Sequence, residues 1–562
     1  MTERLWLKSY PDGMPADIDP DQYPSIAEMF AQCAQRFADR PAFDCLGHVV
    51  TYAEVDRMVT QFAAYLQNLP GMAQGARVAV MSPNLLQFPV ALLGILRAGM
   101  VAVNVNPLYT ARELEHQLKD AGVQVIVVVE NFAHVVQEAL PHTQVKQVIT
   151  TQVGDLLPAP KRWIVNWVAK RVKKLVPPWQ IAGSIGMRAA LARGAQQSFK
   201  PVKVAREDLA LLQYTGGTTG VSKGAMLTHR NILANVAQTG TWISQHFVAG
   251  HEIAIAPLPM YHIFGLTSML CFVQWGCLIV LIANPRDLPG LIKELGRRKF
   301  SVLTGVNTLF NGLLHAPGFA ELDFSQLKAV IGGGAAVQES VAKRWQEVTG
   351  HFITEAYGLT EASPAVCANP LDMQWNGSVG LPLPSTEVSI RDDAFNPLTP
   401  WLGDDARDLH TGELCVRGPQ VMKGYWNVPD ESARVLRDGW LRTGDLGHMN
   451  ADGFITITDR QKDLILVSGF NVYPNEVESV VAALPGVLEC GVCGVPDERT
   501  GEAVKVSIVR RDPTLTKEDV LAHCKTLLTG YKLPRHIEFR DALPKTPVGK
   551  VLRRALRDAP PN

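Results

Sequence analysis

The chain has 562 residues, 47% of them hydrophobic and 19% charged, enough to bury several cores, so two to four domains are expected. Lys+Arg and Asp+Glu are equal at 54 each, which leaves no global field to select nucleic acid or a membrane; either partner would need a local patch. Nine scattered cysteines do not suggest a disulfide scaffold, a first stretch (1–24) without a basic segment leading into an apolar run argues against a secretory leader, and a reducing cytoplasm is the expectation.

Apolar runs at Arg77–Met81, Val101–Val105 and 123–129 alternate with helical patterns such as 113–120. Strands that are apolar on both faces are covered by helices on both sides, so the chain is expected to be α/β with largely parallel sheets. Residues 161–176 hold six basic residues and no acid. On a helical wheel Arg162, Lys170, Lys173 and Lys174 share one arc and apolar side chains fill most of the other, with Lys161 and Arg171 intruding. Such a helix suits reversible contact with an anionic membrane, or a solvated face over a domain edge.

After the apolar run 209–212 comes Tyr-Thr-Gly-Gly-Thr-Thr-Gly-Val-Ser-Lys-Gly at 214–224. Its glycines let backbone N–H groups turn inward as an anion nest, with hydroxyls from Thr215, Thr218 and Thr219 and a point charge from Lys223. The lysine follows Ser222 and precedes Gly224, so this is not a Walker A loop. Residues 265–283 carry no charge, yet Thr267, Ser268, Gln274 and Gly276 break the span, giving a buried helix to Trp275 and a strand at 277–282. His262, in Pro-Met-Tyr-His-Ile-Phe-Gly, lies just before it.

Gly332-Gly-Gly-Ala-Ala336 lets backbone approach a ligand, and Tyr357-Gly-Leu-Thr-Glu361 offers an aromatic face for a purine and a carboxylate for Mg²⁺. From about 370 the texture becomes short strands and turns (Gly412–Arg417, 451–458), a small β-rich subdomain. Asp445 and Arg460 end two charged motifs, 438–445 and 459–460. The remainder reads as a compact α+β unit ending in a basic stretch, with a boundary near 460. Cys490 and Cys493 spell C-x-x-C inside an apolar strand and are read as packed thiols. Lys550 stands at the tip of a Pro- and Gly-rich loop that starts at Pro544.

The 214–224 loop resembles the phosphate-binding loop of the adenylate-forming superfamily, which includes acyl-CoA synthetases, luciferases and peptide-synthetase adenylation domains. Gly216 stands where many members have Ser or Thr, and Ser222 where most have Pro. The run 438–462 and the strings 213–231 and 468–478 resemble bacterial long-chain fatty acid–CoA ligases, and the likeness spans essentially the whole chain. It implies a large N-terminal domain of αβαβα-type sheets (1–460, with the β-rich part at about 370–460) and a mobile C-terminal lid at 461–562.

By the same resemblance, ATP is held by Thr215, Gly216, Gly217, Thr218, Thr219, Gly220 and Lys223, by Gly334 and Ala335, and by Tyr357, Gly358, Thr360, Asp445 and Arg460. Lys550, Lys223 and Glu361 are catalytic, and Thr218 and Glu361 hold Mg²⁺. His262, Gly332 and Gly333 line the acyl pocket; Ser468, Gly469 and Phe470 form the CoA side; Lys462 is the hinge. Leu266 occupies the position of a gating Trp found in some long-chain enzymes, so no such gate is expected. The implied reaction joins a fatty acid to CoA at the expense of ATP, through an acyl-adenylate. Rival readings are a medium-chain or aryl acid ligase, an enzyme that stops at the adenylate, and an inactive lipid-binding homologue. No carrier domain follows, which disfavours a peptide-synthetase module, and oligomeric state is not legible.

Overall fold

The computed structural model describes residues 4–215, 222–403, 406–468, 470–497, 499–546 and 549–557. Val-rich segments with every residue buried, such as Val101–Val105 and Val125–Val129, can only be interior strands. They build a seven-stranded sheet in the order Ile185–Gly186, Gln147–Thr151, Val125–Val129, Arg77–Met81, Val101–Val105, Leu209–Thr215, Lys223–Thr228. All neighbours are parallel except the last pair, a hairpin. A nine-stranded sheet has a parallel centre of Thr354–Gly358, Ala329–Gly332, Val302–Gly305, Ile253–Ala256, Leu278–Leu281 and Pro41–Cys45, with antiparallel additions at both edges.

The two sheets share one core. Helices Gln87–Arg97 and Ile263–Gln274 lie within it, buried on nearly every side because their sequences are apolar all round. Amphipathic helices Ala111–Ala121 and Glu339–Thr349 cover the outer faces. The layering is the αβαβα arrangement expected. Helix Ile263–Gln274, cap Trp275, Gly276 at φ +69° and strand Leu278–Leu281 reproduce the expected reading of 265–283. Among the described residues no helix is long and apolar enough to cross a membrane.

A five-stranded antiparallel sheet follows, made of Glu387–Arg391, Gly412–Arg417, Leu436–Arg437, Trp440–Met449 and Ile455–Arg460. The strand expected at 451–458 begins later, because 451–453 is a turn in which Gly453 (φ +86°) sits against the Trp6 backbone. The sheet's onset is also later than expected: Leu381–Pro382 pairs with the nine-stranded sheet instead. Beyond residue 460 a fourth sheet, spanning Ile465–Val467 to His536–Arg540, packs helices Pro474–Ala482 and Lys517–Leu527 around a core of its own. Cys490 and Cys493 lie three apart on its strand Val487–Asp497, so they enter different cores on opposite faces. All nine cysteines are free and buried.

The basic segment departs from the continuous helix expected. Helix Lys161–Trp167 passes into a wide turn at Val168–Val172, and Lys174 takes φ +50°. Lys161 turns inward to donate to the Leu46 carbonyl, and Lys170 lies 3.7 Å from Glu130. Trp163, Ile164, Trp167, Val172 and Leu175 are each more than half exposed.

Phe310 shows how the core supports the glycine-rich strand ends. Its ring is fully buried, 5.0 Å from that of Trp345; a Cβ on Gly305 would collide with it, and one on Gly332 would stand 3.2 Å from it. Phe310→Ala is expected to cost about 3–5 kcal/mol of stability, read as a lowered denaturation midpoint. A loss under ~1 kcal/mol would mean that the neighbouring layers collapse to fill the gap.

Candidate functional site

A cleft of about 460 Å³ opens at the carboxyl ends of strands from both large sheets, where open α/β sheets bind ligands. Thr215 ends one such strand and pairs in register with Lys223 across the hairpin. Tyr357 and Gly358 end another, and Gly333 and Gly334 follow a third. Residues from beyond 460 close the far wall: Gln461, Lys462, Thr546 and Lys550.

At one end Lys223 Nζ donates to Glu431 Oε1 at 2.5 Å and stands 5.4 Å from the Tyr425 ring centroid. Tyr425 in turn donates to Glu361 Oε1 at 2.6 Å. Burial and the Glu361 charge push the Tyr425 phenol far above its ordinary range. Glu431 also takes two hydrogen bonds from Arg434, both 2.8 Å, which with Lys223 hold its carboxyl down at about 2. Glu361 Oε2 has no donor among the described residues. One carboxylate oxygen completed by ligand oxygens is a donor set that fits Mg²⁺. No group of three or more His, Cys, Asp or Glu gathers for a metal among the described residues.

Elsewhere along the cleft, Tyr357 donates to Asp445 Oδ2 at 2.6 Å, and Arg460 Nε lies 2.9 Å from Oδ1. Asp445 and Arg460 are directly opposed on neighbouring strands, so the register of that small sheet builds the pair. Asp445 itself is buried behind the wall, while Gly358, Thr360 and Arg460 face the cleft. Gly358 is a glycine because the Pro364 carbonyl would stand 2.2 Å from a Cβ.

His262 caps helix Ile263–Gln274, its Nδ1 accepting from Phe264 N at 3.3 Å, and it also lines the cleft. Desolvation holds its pKa near 4, so it is neutral. At Gly333 a Cβ would stand 3.0 Å from both the Phe264 ring and the Ala356 carbonyl, and Gly334 has φ +76°. Gly332 departs from the expected role: it packs into the core against Phe310, Val337 and Ile353, and Ala335 is also off the wall. Leu266 is buried in the core.

Lys550 reaches the cleft from a tight loop in which Thr546 N–H bonds the Lys550 carbonyl (2.7 Å) and Lys550 N–H bonds Thr546 Oγ1 (3.0 Å). Thr308 on helix Asn307–His315 donates to the Gly549 carbonyl, and Asn311 to that of Leu488, so that helix docks the last unit. Desolvation first, then the Arg460 charge, lowers Lys550 to about 8, and desolvation also lowers Lys462. Ser468, in the left-handed region at φ +51°, and Phe470, stacked on Tyr531, are off the cleft wall. Gly216, Gly217, Thr218, Thr219, Gly220 and Gly469 lie outside the described residues.

Sequence reading missed Tyr425, Glu431 and Arg434, which lie on or before helix Pro429–Val435, as well as Glu355. Buried beside Gly332, Glu355 accepts the Val337 N–H at 3.0 Å, and desolvation raises it to about 8. The adjacent Tyr-Trp pair and the Asp-Glu pair at 430–431 were a visible signal, but only of surface chemistry.

Comparison with known proteins matches residues 30–426 to the AMP-binding enzyme model and residues 476–550 to the AMP-binding enzyme C-terminal domain. A long-chain-fatty-acid–CoA ligase of Yersinia pestis is 52% identical over 99% of this chain and 98% of its own, and one of Bacillus subtilis is 37% identical over the same shares. In fold, ATP-bound MatB of Rhodopseudomonas palustris aligns with a TM-score of 0.77 and 28% identity over 95% of this chain and 98% of its own. An anthranilate CoA ligase with anthranoyl-AMP aligns at 0.83 and 22% identity, over 96% and 98%. With both models matched in order and half its residues shared along the full length of such relatives, the chain belongs to the AMP-binding enzyme family.

Proposed function

We propose that the chain activates long-chain fatty acids with ATP and passes them to CoA, releasing AMP and pyrophosphate. The observation that carries the chemistry is the convergence of Lys223, Glu361 and Lys550 on one cleft that Tyr357 and Arg460 also line. The fatty substrate and the CoA step rest on full-length relatives at 49–52% identity that carry that activity in their names.

The carboxylate oxygen of the acid attacks the α-phosphorus, the bond to the pyrophosphate oxygen breaks, and charge builds on the phosphoryl oxygens. Lys550 stabilises that charge from one unit, and Lys223 holds the outgoing phosphates from the other. Tyr357 offers a face for adenine, and the Asp445–Arg460 pair aligns the ribose. Mg²⁺, held by Glu361 and, by resemblance, Thr218, would supply charge neutralisation on the phosphates. In the second step the CoA sulfur attacks the acyl carbonyl, the C–O bond to AMP breaks, and the thiol proton leaves to solvent. Ser468, Gly469 and Phe470 serve that step, and Ser468 and Phe470 stand off the cleft in this arrangement. The unit 461–562 therefore rotates about Lys462 to present them.

A second reading concerns where the acid comes from. The exposed Trp163, Ile164, Trp167, Val172 and Leu175, set among Arg162, Arg171, Lys173 and Lys174, suit a shallow seat in an anionic bilayer on the cytoplasmic side. Replacing Trp163 and Trp167 by Ser is expected to abolish sedimentation with anionic vesicles while leaving activity on detergent-dispersed acid intact. Unchanged sedimentation would remove this reading.

Pyrophosphate exchange and thioester formation across acids of increasing length test the main reading, with both rising toward long chains. A preference for aryl or short acids, or thioester formation absent throughout, would replace it. The charge role of Lys550 adds a pH signature. The working form is the cation, so exchange (kcat/KM) should fall as pH rises through about 8, the ordinary lysine limb shifted down by desolvation. Lys550→Arg, always charged, should lower the rate and remove the limb. Glu355 titrates in the same range, so a limb that survives Lys550→Arg but vanishes in Glu355→Gln would reassign it.

A further inference from the structure

Arg553 follows Lys550 by three residues, at the start of helix Arg553–Arg557. Its guanidinium is almost wholly used. Nη1 donates to Asp459 Oδ1 at 2.7 Å, Nε and Nη2 grip both oxygens of Glu478 at 3.0 and 2.8 Å, and Nη2 also donates to Asn475 Oδ1. Asp463 lies 3.6 Å away. Asp459 is engaged through both of its oxygens: fully buried, it accepts Arg460 N–H at Oδ1 and Asn475 N–H at Oδ2, both 2.8 Å. Asn475 donates once more, to the Thr458 carbonyl at 3.0 Å.

These partners divide unequally about Lys462. Asp463, Asn475, Glu478 and Arg553 follow it in the chain and belong to the sheet and helices beyond 460, whereas Thr458 and Asp459 end the strand Ile455–Arg460 before it. A rotation about Lys462 carries Arg553, Glu478 and Asn475 together. It cannot carry Asp459, which would lose both its cation and its Asn475 donor. The contacts to Asp459 therefore exist only in the orientation that places Lys550 in the cleft.

We propose that Asp459, held by Arg553 and Asn475, is a latch that selects the adenylate-forming orientation of the last unit. Asp459 and Arg553 are positioning residues: neither lines the cleft, and they act by fixing the loop that carries Lys550. Breaking the latch weakens the first half-reaction and favours the orientation used by the second. This inference rests on the two-step reading above, and its test separates the two.

The experiment compares wild type, Asp459→Asn, Arg553→Met and Arg553→Lys in the full chain. One readout is the distance between spin labels at Val248→Cys and Leu527→Cys, exposed positions in a protein whose native cysteines are all buried. The others are pyrophosphate exchange and thioester formation from supplied acyl-adenylate. Asp459→Asn should populate a second distance and lower exchange kcat about 100-fold, the cost of a misplaced catalytic group, with KM for ATP little changed. Thioester formation should be unchanged or faster, and Arg553→Lys should recover part of the exchange rate. Wild-type distances in both Asp459→Asn and Arg553→Met, or equal loss of both half-reactions in chains that unfold at the wild-type midpoint, would overturn the latch. A shifted distance in a chain whose wild type exchanges no pyrophosphate with any fatty acid would keep the latch and overturn the reading of function.

Discussion

Lys550, carried by the last unit into a cleft that the large sheets otherwise build, is withdrawn from much of its solvent, and the charges around it answer to that. Removing Lys550 from solvent disfavours its cation, and the nearby Arg460 disfavours it further. Lys and Arg outnumber Glu by six to three on the described wall. Such a cleft is electrostatically incomplete by itself and complementary to a polyphosphate, which restores the charge balance and raises the affinity of every lysine for its proton.

The scaffold supplies the other half by geometry. Parallel sheets place the carboxyl ends of their strands on one side, so Thr215, the Gly333–Gly334 turn and Tyr357–Gly358 converge although they are far apart in sequence. Close approach is then set by residues without a side chain. Gly358 admits the Pro364 carbonyl, and Gly333 admits the Phe264 ring and the Ala356 carbonyl. The antiparallel sheet contributes by register: pairing Asp445 with Arg460 across adjacent strands fixes a buried carboxylate behind the cleft wall.

Much of this was legible in the sequence, for a physical reason. Strands buried on both faces are largely apolar, so Arg77–Met81 and Val101–Val105 begin and end where their runs do. Lys223, the tyrosine motif at 357–361 and Lys550 stand in or beside short glycine- or proline-marked segments, which made them candidates. What was not legible depends on distance across the fold. Glu431 and Asp459 look like ordinary surface acids, and only tertiary packing brings them to Lys223 and Arg553. Gly332 fails in the opposite direction. Its motif suggested a ligand, but the first glycine of the run is needed for packing against Phe310, and the closest approach falls to the next. The basic segment at 161–176 fails because a helical wheel assumes a helix, and a wide turn at Val168–Val172 redirects its second half.

Placing an acid against the phosphate lysine looks self-defeating until the carboxylate's other partners are counted. A half-buried Lys223 without an anion would bear a desolvation cost, and Glu431 offsets it at 2.5 Å. If that were the acid's only contact, a phosphate that captured Lys223 would strand a carboxylate in the cleft. Arg434 prevents this, because it already holds both Glu431 oxygens from one helical turn away. In the role proposed for Lys223, capture of a phosphate is an exchange of one anion for another rather than the formation of a new ion pair. Tyr425 tightens the arrangement, since its ring faces Lys223 while its hydroxyl orients Glu361. In this arrangement Lys223 is paired, and Glu361 and Glu431 are each held by a donor of their own.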